Sequence, residues 1–131
     1  MYSLGRGSNM VSKQFLHHKN DRVFIIGKGI FDEVGRGEYH DAVMHLRSLN
    51  FSSIFTGADY QDPVDPNDQI KWMKFCAHKV IDADLIYIIC SDKDIRKGPF
   101  ELYSCQEYCR ELAHSLKIPV FFKEYEENAG I

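Results

Sequence analysis

The chain has 131 residues, with 16 Lys+Arg against 19 Asp+Glu and a formal net charge of -3. That length fits one domain, and a chain of this size buries enough surface to fold without disulfides or metals. The charge balance excludes a broad basic face for bulk nucleic acid, and no apolar run approaches the roughly 20 residues of a membrane span.

Residues 1–20 are polar, with Gly5, Gly7 and the pair His17–His18, and are read as a flexible N-terminal extension. Arg6, Lys13 and Lys19 accompany no apolar stretch of the kind a secretory signal needs, so a cytoplasmic location is expected. The domain itself is expected over 21–123. Val23-Phe24-Ile25-Ile26 is an apolar run of β-formers stopped by Gly27, and its lack of alternation predicts a strand covered on both faces. Gly27, Gly29, Gly35 and Gly37 then predict a loop. Tyr39, Ala42, Val43, Leu46 and Leu49 recur at helical spacing, which predicts an amphipathic helix from about Glu38 to Asn50.

Ser52 to Thr56 is a short candidate strand ending at Gly57. After a turn-rich stretch, Asp65-Pro66 has the form of a helix start, and the helix that follows holds Ile70, Met73, Ala77, Val80 and Ile81 on one face, with Trp72 expected to pack it on the sheet or on another subunit. Leu85 to Cys90 is the clearest buried strand. Ser91 to Gly98 is polar, Pro99 suits the first turn of a helix reaching about Leu116, and Ile118 to Phe122 is a last strand. Residues 124–131 read as an acidic tail. The order β-α-β-α-β-α-β implies an α/β fold of Rossmann or flavodoxin type. It is expected as a small three-layer parallel sheet of four to five strands with helices on both faces.

In such sheets ligands bind beyond the carboxyl ends of the strands, where the strand order reverses. Two connections are therefore the places for chemistry. Gly27-Lys28-Gly29-Ile30 follows the first strand, where glycines admit a phosphate close to the backbone and Lys28 supplies charge. Its spacing matches neither common phosphate-loop pattern, and a connection that merely needs glycine explains it equally well. The second connection holds Asp92, Asp94, Gly98 and Glu101. A carboxylate in a helix's first turn is stabilised as an anion, and an ionised Glu there can attack a sugar carbon while a second carboxylate acts as acid or base, although first-turn carboxylates are common for helix stability alone and the loop by itself favours that explanation.

Cys76, Cys90, Cys105 and Cys109 form no CxxC pair, and the six histidines form no metal-binding pattern. Neither a metal nor another cofactor is expected, and the thiols read as small packing residues.

The ordered motifs over about residues 22–122 resemble the nucleoside 2-deoxyribosyltransferases and the related deoxynucleoside-monophosphate N-glycosidases. The resemblance lies in the first strand with Gly27-Lys28-Gly29-Ile30, in Ile81-Asp82-Ala83-Asp84-Leu85-Ile86-Tyr87, in Gly98-Pro99-Phe100-Glu101, and in Lys117-Ile118-Pro119-Val120. It implies that Glu101 is a nucleophile toward C1′ of a ribosyl or deoxyribosyl group and that Asp94 contacts or protonates the leaving base. It also implies that Gly27, Lys28, Gly29 and Ile30, with Asp92 and Gly98, bind the substrate. Tyr39 and Tyr60 are further neighbours without motif support.

Three positions depart from that family's pattern. Cys76 stands where it carries an Asp, Tyr103 where it has a small residue, and the interval from Glu101 to Pro119 is longer. The expected function is cleavage or exchange of an N-glycosidic bond in a nucleoside, nucleotide or related dinucleotide. The expected assembly is a homo-oligomer. The alternatives are a non-catalytic nucleotide-binding protein and a protein-interaction module on the same fold.

Overall fold

A computed structural model describes residues 13–27, 33–57, 69–89 and 104–123. The elements are α1 (Lys13–Leu16), β1 (Arg22–Ile26), α2 (Glu33–Ser48), β2 (Ser53–Thr56), α3 (Gln69–Asp82), β3 (Leu85–Ile88), α4 (Ser104–Ser115) and β4 (Val120–Phe122). The four strands form one parallel sheet in the order β2-β1-β3-β4. This is the expected α/β fold, consistent with the Rossmann-like class.

The apolar strand runs are explained by the two faces of the sheet. Phe24, Ile26, Ile86, Ile88, Val120 and Phe122 join Trp72, Cys76 and Val80 of α3 and Cys109 and Ala113 of α4 in one cluster. The alternate residues Val23, Ile25, Leu85, Tyr87 and Phe121 join Phe15 of α1 and Tyr39, Ala42 and Leu46 of α2 in the other. Successive strand side chains point to opposite faces, so a strand buried on both has no polar positions to alternate with.

Three expectations need correction. Residues 13–20 belong to the folded unit rather than to an extension. Phe15 is fully buried, with its ring 4.9 Å from Phe51, 5.5 Å from Tyr87 and 5.2 Å from Phe121. It covers β3 and β4 on the face that α2 shares, and that packing outweighs the polarity of its neighbours. Next, α2 begins five residues before the expected Glu38 and includes Gly35 and Gly37. Tyr39 and Ala42 anchor its first half in the core, which overrides the low helix propensity of glycine.

The third correction concerns α3. It packs on the sheet through Trp72, as expected, with Cys76 and Val80, whereas Ile70 and Ile81 of the face that holds Val80 are 70% and 60% exposed. The expected Asp65-Pro66 start lies outside the described residues. No helix among the described residues is long and apolar enough to cross a membrane.

Candidate functional site

The strand order fixes where a site can form. From β1 the chain goes through α2 to β2 on one side, and from β3 through α4 to β4 on the other. The order therefore reverses between β1 and β3, which are adjacent and in register from Val23↔Leu85 to Ile26↔Ile88. At the carboxyl end, Ile89 N–H donates to Ile26 O at 2.9 Å and extends that pairing by one bond. The crevice at such a reversal is the ligand position of open α/β sheets.

A set of large side chains forms the floor there. The N–H of Gly27 donates to the Tyr39 hydroxyl at 2.8 Å in a buried contact. Tyr39 also reaches the end of β2: a Cβ added at Gly57 would lie 3.0 Å from Tyr39 Cζ and 2.8 Å from Trp72 Cη2, with the Tyr39 hydroxyl nearer still. Glycine is needed at 57 because these two rings occupy the space a side chain would take. At Gly27 an added Cβ would meet Ile89 Cδ1 at 3.3 Å and Tyr39 Cζ at 3.4 Å. Gln106 of α4 is 1% exposed and donates from Nε2 to Ile89 O at 2.9 Å. The exit of β3 is thus held on both sides, its N–H by β1 and its carbonyl by Gln106.

Of the nominated residues, Gly27 is buried in this floor. Its N–H is engaged by the Tyr39 hydroxyl, so that donor is spent on the packing of the strand exit. Lys28, Gly29, Ile30, Asp92, Asp94, Gly98 and Glu101 lie outside the described residues, as does Tyr60. The first three follow Gly27 directly, and the carboxylates belong to the segment that leaves Ile89, so both sets depart from adjacent strand ends.

Cys76 is fully buried among apolar side chains, one helical turn from Trp72. A carboxylate in its place would lose hydration in the core, and the thiol acts there as a small packing group. Cys109 is likewise a free, buried thiol. Asp84, which precedes Leu85-Ile86-Tyr87 in the third strand's motif, sits at the opposite end of the sheet. Its Oδ2 accepts from Arg22 N at 3.0 Å, and its own N–H donates to Arg22 O at 2.8 Å. That Asp registers β3 against β1.

Sequence reading missed Gln106. Its signal is a polar residue on the buried stripe 106, 109 and 113, which requires a buried hydrogen-bond partner. Comparison of the chain with protein-family models, with curated proteins and with solved structures found no match.

Proposed function

We propose that the chain cleaves or exchanges the N-glycosidic bond of a nucleoside, nucleotide or related dinucleotide, as the enzymes its sequence resembles do. The observation that carries this reading is the reversal of strand order between β1 and β3. Gly27, Lys28, Gly29 and Ile30, and Asp92, Asp94, Gly98 and Glu101, follow these two neighbouring strands in the chain.

In the proposed reaction the Glu101 carboxylate attacks C1′ and the C1′–N bond breaks. The base departs with its electron pair and takes a proton from the Asp94 carboxyl. The glycosyl ester is then resolved by water, which gives its proton to the Asp94 carboxylate, or by a second base. Lys28 and the neighbouring backbone, together with Asp92 and Gly98, hold sugar or phosphate. We place the reaction in the cytoplasm, on a small molecule rather than bulk nucleic acid, in a homo-oligomer.

A second reading, nucleotide binding without turnover, is favoured by Cys76, which brings no carboxylate where the resembled family has one. One assay separates the two. The protein is incubated with a panel of nucleosides, nucleotides and dinucleotides, and free base is measured by chromatography beside the melting temperature. The proposal expects base release that Glu101→Ala lowers by roughly a thousandfold or more. A ligand that raises the melting temperature and returns intact supports the binding reading. Neither release nor stabilisation across the panel overturns both.

A further inference from the structure

We propose that the outward face of α3, with Tyr108 of α4, is a twofold interface through which two copies of this chain pair. This rests on the shape and charge of that face and not on the glycosidase reading.

The helix carries two apolar stripes. Trp72, Cys76 and Val80 pack on the sheet. Ile70, Met73, Ala77 and Ile81, spaced by three, four and four, line a groove of about 340 Å³ together with Lys74, His78 and Tyr108. Ile70, Ile81 and Tyr108 are three of the five large apolar side chains exposed among the described residues, and all three line this one groove. Apolar side chains gathered this way mark an interaction surface, whereas scattered ones do not.

The composition fits a second copy better than an unrelated partner. Ile70 and Ile81 are eleven residues apart, so they stand about 16 Å from each other along the helix, with Ala77 between them. A small residue between two bulky ones lets a second helix approach closely while the bulky ones interdigitate with it. The charges are complementary across the groove. Lys74 and His78 are exposed on α3, and Glu111 is exposed on α4 one turn beyond Tyr108. A twofold axis that lays α3 of one copy toward α4 of the other brings Lys74 to Glu111 of the second copy, and symmetry repeats the pair. The apolar residues then form the centre and the charged ones the rim, as in protein interfaces generally.

Sedimentation of the full chain across the micromolar range tests this. Wild type is expected as a dimer. Ile81→Glu places a charge in the apolar centre and is expected to raise the dissociation constant by about a hundredfold or more. Because Ile81 is exposed, circular dichroism and melting of the dissociated variant report an intact fold. Lys74→Glu is expected to weaken pairing about tenfold, and Lys74→Glu with Glu111→Lys to restore it, which an unrelated partner surface would not do. A wild type that stays monomeric, or a dimer that Ile81→Glu leaves as tight, overturns the proposal.

Discussion

The two ends of the sheet are built on different plans. At the amino end the connections are short, residues 49–52, 83–84 and 116–119, and their polar groups are paired close by. Asp84 and Arg22 exchange backbone and side-chain bonds, and Ser52 N–H donates to Lys19 O at 3.2 Å. At the carboxyl end the strand exits at Gly27, Gly57 and Ile89 are held instead by large side chains from the helices. In open α/β sheets binding and catalytic residues gather at that end, on a rigid support. Tyr39, Trp72 and Gln106 supply that support. The amino end is therefore closed by paired polar groups, the carboxyl end carries the proposed site, and substitutions at each should separate the two.

The largest effect is expected from Phe15→Ala, in the segment that leads into the amino end. Removing a fully buried ring that touches three others should cost about 3–5 kcal/mol. Chemical denaturation measures it. A loss below about 1 kcal/mol would return this segment to the status of an extension and leave β3 and β4 covered by something else.

At the carboxyl end the glycines grade the packing of the floor. Gly57→Ala drives a methyl into Tyr39 and Trp72 and should cost about 2–3 kcal/mol. Gly37 has nothing within 4 Å of an added Cβ and lies inside α2, so Gly37→Ala should stabilise by about 0.5–1 kcal/mol. Thermal melting of the pair checks both signs. Equal effects would mean that the floor is not closely packed, and the contrast between the two ends would fail.

Much of this was readable in advance, for reasons tied to particular residues. The run Val23 to Ile26 identifies a doubly covered strand because nothing in it can face water. The order of strands and helices then locates the reversal point near Gly27 and Ile89. The face of α3 was readable only in part, through Trp72, since Trp72, Cys76 and Val80 and the set Ile70, Met73, Ala77 and Ile81 both recur at helical spacing. Hydropathy favours the set with two isoleucines, and only the neighbouring elements decide which stripe packs inward. Phe15 was missed for a related reason. Its partners Tyr87 and Phe121 are distant in sequence, and a single aromatic in polar surroundings carries no periodic signal. Of the residues nominated for the site, Gly27 and its neighbour Tyr39 fall within the described structure, and there they pack against each other.

The smallest effect sharpens the account of the amino end. Two helices finish there with a residue in the left-handed region, Asn50 at φ 71° and Lys117 at φ 60°. Each ends in the same pair of bonds. Phe51 N–H donates to Leu46 O and Asn50 N–H to Arg47 O, while Ile118 N–H donates to Ala113 O and Lys117 N–H to His114 O. This is the cap in which glycine is the favoured residue, and asparagine the usual substitute. Asn50 already suits the position. Lys117 does not, because its Cβ crowds the following carbonyl at positive φ. Its side chain is exposed, so little packing is lost on removing it. Lys117→Gly should therefore stabilise by about 0.5–1 kcal/mol, a rise of roughly 2–5 °C in melting temperature for a domain of this size. Asn50→Gly should change it by less. Since Lys117 lies at the end of the sheet opposite Gly27 and Ile89, the gain should leave nucleotide turnover or binding unchanged. A gain in stability with a loss of activity would mean that the two ends are coupled through α4, and the division of labour between them would have to be abandoned.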